Sequence, residues 1–199
     1  MNYRLINKKI KYFIHRNLSK LNYLFFEEYY KKSNPIFFDT NSQLSQDFLA
    51  AVISDFKKNG VFIEFGATNG IDLSNTYFLE KHLNWTGILV EPVNSYFEQL
   101  KKNRPNSICL NKVVFSESNK TKTFYVNNEL SISGLKKTND SKPIITRTIS
   151  LNEIFKSNNL KHIDYLSIDT EGSEFSILKS FDSISKYRSV RIIVDVDPI

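Results

Sequence analysis

From residue 47 onward the apolar positions change period repeatedly, and each change marks an element. Across residues 47–58, Phe48, Leu49, Val52, Ile53 and Phe56 recur at the three- and four-residue steps of an amphipathic helix, which Asn59-Gly60 would end. Residues 61–65, VFIEF, form instead a short apolar run of buried-strand length that passes into Gly66-Ala67-Thr68-Asn69-Gly70. Asp72 and Ser74 can then cap a helix through Tyr77, Phe78 and Leu83, and a second buried strand, 88–90, ends on Glu91-Pro92. Pro92 suits the first turn of a helix continued by Tyr96, Phe97 and Leu100. The pattern further predicts a third strand within 107–115 and a short helix opened by the capping-box sequence Ser150-Leu151-Asn152-Glu153. A fourth strand over 163–168, a helix through Phe175, Ile177 and Leu178, and a fifth strand over 190–196 follow. Residues 121–126 and 143–149 read as strands of an antiparallel excursion bracketing a polar loop, 127–142.

Strand and helix alternate, so the expected class is α/β, with a largely parallel sheet and helices on both faces. Residues 36–199 form the expected domain, and an apolar edge such as Ile192-Ile193-Val194 is normally covered or paired, so either the N-terminal segment protects it or final strands are missing. Residues 1–35 differ in kind. They are basic and aromatic, with Ile6, Ile10, Phe13, Ile14, Leu18, Leu21 and Phe25 at helical steps. Such a helix can lie on an anionic membrane surface, or pack on the body or on a second copy. A transit peptide fits poorly, because Lys outnumbers Arg and no cleavage site stands out.

Charge changes the picture less than its total implies. The formal +6 comes from Arg4, Lys8, Lys9, Lys11, Arg16 and Lys20; with those six set aside, basic and acidic residues balance at 21 each. The body is neutral, which gives no reason to expect a nucleic-acid partner. The lone Cys109 rules out an internal disulfide and favours a reducing compartment, hence a cytoplasmic expectation with peripheral membrane contact through residues 1–35. No run approaches eighteen continuous apolar residues.

Ligands of an open parallel sheet gather at the carboxyl ends of the strands. There stand the glycine loop, Glu91, Asp169 with Glu171, and Asp195 with Asp197. Glu64, inside an apolar run, must face a partner, because an unpaired buried carboxylate is costly. Glu91 follows Gly66 by 25 residues, close to where a carboxylate accepts from both hydroxyls of a ribose; a helix N-terminal acid is the plain alternative. Asn75 and Thr76 read equally as ligand contacts or as helix caps. The 127–142 loop, with Ser131-Ile132-Ser133-Gly134, reads as a substrate lid or simply as a loop. Mg²⁺ between Asp169 and Asp195 is an alternative, and His15, His82 and His162 read as surface or structural histidines.

Two segments, VFIEFGATNGIDLSNTYFLEKHLNWTGILVEP and IDYLSIDTEGSEFSIL, resemble the signature regions of FkbM-type methyltransferases, and the resemblance runs from about residue 59 to 196. The Asp-x-Glu-Gly-x-Glu pattern at Asp169, Glu171, Gly172 and Glu174 is its more specific motif. The resemblance implies a Rossmann-like class I methyltransferase fold, strand order 3-2-1-4-5, using S-adenosylmethionine. It implies that Glu64 and Gly66, Ala67, Thr68, Asn69 and Gly70 hold the methionine end, that Glu91 binds the ribose, and that Val114 to Ser116 line the adenine. Asp169 and Glu171 would lie at the methyl-transfer site, with Asp169 also beside the cofactor and Glu174 a structural partner. Similar proteins often carry lysine where Ser167 stands, so no cation is assigned there. The implied activity is O-methylation of a sugar or glycan-like acceptor. A non-catalytic Rossmann-like interaction or membrane-surface module is the alternative, and the wide glycine spacing disfavours a nicotinamide enzyme.

Overall fold

The computed structural model describes residues 40–127, 133–181 and 191–194, the last four by backbone alone. Its elements in chain order are α1 (Gln46–Ile53), β1 (Val61–Phe65), α2 (Tyr77–Leu83), β2 (Thr86–Val90), α3 (Asn94–Asn103), β3 (Ile108–Leu110), β4 (Val113–Val114), β5 (Thr121–Val126), β6 (Lys142–Ile149), α4 (Leu151–Ser157), β7 (Tyr165–Ile168), α5 (Glu174–Lys179) and β8 (Arg191–Val194). Five strands pair in parallel in the order β3-β2-β1-β7-β8, the 3-2-1-4-5 order expected. The fold is Rossmann-like α/β.

Strand parity sorts the core into two layers. Ile63, Phe65, Ile88, Val90, Leu166 and Ile168 face Ile154 and Phe155 of α4 and Ile177 of α5. Phe62, Leu89 and Tyr165 face the opposite way, onto Ala50 and Ala51 of α1, Phe78 and Leu79 of α2, and Leu100 of α3. Helices thus cover both faces, and burying each large side chain contributes about 1.5–3 kcal/mol. Among the described residues no helix is long and apolar enough to cross a membrane.

Three local outcomes differ from the apolar pattern. Helix α1 ends at Ile53, five residues early, because Asp55 and Phe56 turn left-handed at φ 54° and 47°. The turn keeps the Phe56 ring on Phe48, centroids 6.2 Å apart, and lets the Lys57 carbonyl accept from Trp85 Nε1 at 2.7 Å. The third strand splits: β3 stays in the main sheet, whereas β4 leaves it to pair in parallel with β6. Asn111 marks the exit, its Nδ2 donating to the carbonyls of Glu91 and Pro92. At α4 the capping box is half formed. Ser150 Oγ accepts from Glu153 N at 3.2 Å, but Ser150 N donates to Ser118 Oγ rather than to Glu153.

The excursion is a second sheet, β4-β6-β5, with β5 and β6 antiparallel as expected. The basic N-terminal segment, Asp195 and Asp197 lie outside the described residues, as do 128–132 of the polar loop.

Candidate functional site

The registers bring the carboxyl ends of β2, β1 and β7 level, Val90 opposite Phe65 and Phe65 opposite Ile168. Gly66, at φ +77°, then turns the chain where a Cβ would stand 2.6 Å from the Asp169 carbonyl, so only glycine fits. Above this edge opens a cleft of about 850 Å³, counted with the solvent space at its mouth. Its lining combines the apolar Pro92, Val93, Tyr96, Val113, Val114 and Phe124 with the polar Gln43, Gln46, Asn75, Asp169, Thr170 and Glu171.

Glu91 closes β2 and lines the cleft, 4% exposed. Its Oε2 accepts from Thr68 N at 2.9 Å and its Oε1 from Val93 N at 2.8 Å. Each oxygen keeps acceptor capacity for a further donor. Burial pushes the carboxyl up to about 7, against the opposing pull of those two N–H groups. The contact also holds Thr68 at φ +46°, a costly conformation for a β-branched residue, and Thr68 Oγ1 donates to the Asp72 carbonyl.

Glu64 has a partner, but not in the cleft. It shares the Phe62 face of β1, where Oε1 accepts from Asn75 N at 2.7 Å and Oε2 from Ser74 Oγ and Thr76 Oγ1. Burial raises its pKa, and the nearby Arg104 opposes that rise. Glu64, implied as a direct contact of the methionine end, is not part of the described cleft lining; it fixes the backbone of Asn75, which is. Asn75 Nδ2 donates to Ser167 Oγ at 2.9 Å, while its buried Oδ1 has no partner.

Of the glycine loop, Gly66 and Thr68 line the cleft; Ala67, Asn69 and Gly70 stand behind it. Ala67 is fully buried, with its N–H on the Val90 carbonyl. Asn69 Oδ1 accepts from Ile71 N and Asp72 N, and Asn69 Nδ2 donates to Asp72. The carbonyl of Gly70 accepts from Arg104. Val114 lines the cleft; Ser116, half-buried, is not part of the described lining.

Asp169 and Glu171 both line the cleft. The turn that carries them is held by Glu174, as expected of a structural partner: Oε1 accepts from Thr170 N, Thr170 Oγ1 and Gly172 N within 3.0 Å. This clamp allows Glu171 φ +53° and Gly172 φ +103°. The described part of the excursion loop meets the same turn. Gly134 pairs with Tyr125, a Cβ on it would lie 3.1 Å from Glu171 Cβ, and Ser133 lines the cleft.

Three contributors escaped the sequence reading. Arg104, 1% exposed, bonds Glu80 at 2.7 Å, the Gly70 carbonyl, Ser74 Oγ and Thr76 Oγ1, and so braces the loop that holds Glu64. Gln43 and Gln46 line the cleft from the stretch ahead of and into α1; no local motif signals them. Among the described residues no group of three or more His, Cys, Asp or Glu is arranged to hold a metal, and the Asp169–Asp195 alternative lies half outside those residues. His162 Nε2 lies 3.9 Å from Asp164 at the far end of β7, and the His82 ring packs at 4.9 Å on Phe78.

The methyltransferase FkbM domain model matches residues 64–197. The structure is similar to that of methyltransferase FkbM from Methylobacillus flagellatus KT, with 15% identity and a TM-score of 0.44 over 69% of this chain and 33% of that one. The chain thus spans about a third of the length of that protein. No curated protein matches it. With the family model covering the end of β1, the glycine loop, Glu91 and the Asp169-to-Glu174 turn, the chain belongs to the methyltransferase FkbM domain family.

Proposed function

We propose that the protein is an S-adenosylmethionine-dependent methyltransferase acting on an oxygen of a sugar or glycan-like acceptor. The observation that carries the reading is Glu91: a buried carboxylate at the end of β2, facing a cleft, its oxygens steadied by two backbone N–H groups and able to accept two more donors. A ribose offers two adjacent hydroxyl donors. The unpartnered Asn75 Oδ1 in the same lining is a further fit to a donor-bearing ligand. Val113, Val114, Tyr96 and Phe124 would enclose the adenine, and Gly66 and Thr68 would stand beside the thioether.

When bound, the cofactor supplies an electrophilic methyl on a sulfonium. The chain's own work is positioning: the acceptor oxygen has to approach in line, held by the polar side chains of the cleft lining. A carboxylate oxygen of Asp169 or Glu171 takes the proton that the acceptor hydroxyl loses, while the Glu174 clamp keeps both at the cleft. The sugar acceptor rests on the family resemblance and on the polar lining.

Calorimetric titration with S-adenosylhomocysteine tests the reading. Glu91→Ala is expected to abolish detectable binding while the melting transition persists; unchanged affinity would remove Glu91 from the site.

A further inference from the structure

We infer that the β4-β6-β5 sheet is an anion-binding wall of the cleft, and that the acceptor it receives is a phosphate ester of a sugar. The inference rests on the methyltransferase reading above and adds the charge of the acceptor. Charge along the chain is segregated. Residues 112–149 hold seven basic residues against three acidic ones, whereas the remainder beyond residue 20 holds 14 against 18. The neutral body is therefore a balance between a basic excursion and an acidic main domain.

The backbone turns much of this charge toward the cleft. Lys112, one residue ahead of β4, lines it directly. On the hairpin Phe124 is part of the lining, and the antiparallel register puts Lys142, opposite Val126, on the Phe124 face. Lys122 shares that face, its ammonium 3.9 Å from the centre of the Phe115 ring. Lys136 stands at the turn that carries Glu171: a Cβ on Gly172 would lie 3.5 Å from Lys136 Nζ. Among the described residues none of these four lysines forms an ion pair, unlike Lys120, which lies 3.6 Å from Glu117.

The carboxylates of the lining have a separate origin. Glu91 follows β2, and Asp169 and Glu171 follow β7, so all three belong to the edge of the main sheet. A sulfonium and the proton of an acceptor hydroxyl suit that edge, whereas an anionic group suits the excursion. The type of cation narrows the anion. Lysines bind phosphate oxygens as point charges, whereas a planar carboxylate is matched best by the fork of an arginine. Arg147, the single arginine of residues 112–149, lies on the face of β6 opposite to Lys142. A sugar whose hydroxyl meets Asp169 or Glu171 would thus set a phosphate against Lys136 and Lys142.

The test titrates the full chain, with and without S-adenosylhomocysteine, with glucose 1-phosphate and with neutral methyl glucoside, followed by protein nuclear magnetic resonance. Glucose 1-phosphate is expected to bind at least tenfold more tightly than the glucoside. The exposed pair Lys136→Gln with Lys142→Gln should remove about tenfold of that affinity, as for lost hydrogen bonds to a charged group. The same change of net charge at the exposed Lys156 and Lys161, both ahead of β7, should alter it less than twofold. Equal binding of the two probes, no binding of either, or equal losses from the two double variants would overturn the inference. If the Lys136 and Lys142 substitutions remove binding to phosphatidylglycerol vesicles but leave glucose 1-phosphate unchanged, the face is a membrane contact and the inference is likewise overturned. Binding of the phosphate ester by a chain that does not bind S-adenosylhomocysteine would remove the cofactor reading instead and leave the anion-binding wall standing.

Discussion

Removing the guanidinium of Arg104 by Arg104→Met is expected to cost stability chiefly through what it leaves behind. Arg104 is buried between the rings of Phe62 and Tyr77, 5.4 and 5.7 Å from their centroids, pairs with Glu80 at 2.7 Å, and offsets the burial of Glu64. Breaking a buried ion pair by deleting one partner costs about 3–5 kcal/mol. In a domain of this size that lowers the melting temperature by roughly 10 °C, at about 2–4 °C per kcal/mol. The loss also acquires a pH dependence of known sign. Glu64 titrates above its ordinary range in the folded protein, so its contribution is fully present below pH 4.5 and is lost as pH rises through the folded value. Without Arg104 that value rises further, so the variant is expected to lose more at pH 8 than at pH 5. Urea unfolding followed by the fluorescence of Trp85, the single tryptophan and 1% exposed, reads both effects. Adding Glu64→Gln to Arg104→Met should recover part of the loss at pH 8. A cost below about 1 kcal/mol at pH 8, equal at pH 5, would refute the bracing role.

The remaining predictions concern the cleft. Glu91, raised from 4.5 to about 7, destabilises the fold as it ionises, by about 3 kcal/mol between those pH values at 1.36 kcal/mol per pH unit, so Glu91→Gln should show a flatter stability profile over pH 4.5–8 in thermal melts. Parallel profiles would contradict this. Gly66→Ala places a Cβ 2.6 Å from the Asp169 carbonyl in a left-handed conformation and should cost about 2 kcal/mol or more, with at least tenfold weaker S-adenosylhomocysteine binding; a melt and a titration check both. Glu174→Ala leaves Thr170 N and Gly172 N without their acceptor, and hydrogen exchange at that turn should accelerate while the amides of β1 stay protected.

Much of this arrangement was legible in the chain because the apolar runs are short and cleanly bounded: β1, β2 and β7 are continuous buried strands, and the acidic residues that follow them mark the carboxyl edge. What escaped depends on partners distant in sequence. The parity of β1 already placed Glu64 on the Phe62 face, away from Ile63 and Phe65, but nothing local told that residues 74–76 would supply its donors. Arg104 looks like a surface residue near a helix end, because the carbonyl and hydroxyls that bury it come from 28 to 34 positions earlier. The helical period of α1 continues through Phe56, yet the backbone turns at Asp55 so that the segment after it can wrap Trp85. The third strand divides because Asn111 bonds the carbonyls at the end of β2, an interaction no periodicity encodes. Gln46 is a polar residue at the start of a helix, and only the tertiary fold turns it to a cleft.

The most direct test of the account is a crystal structure of the protein with S-adenosylhomocysteine. Both ribose hydroxyls are expected within about 2.5–3.0 Å of the Glu91 carboxylate, with the adenine between Val113, Val114 and Tyr96. A nucleoside bound elsewhere, or a Glu91 carboxylate turned from the ribose, would contradict it.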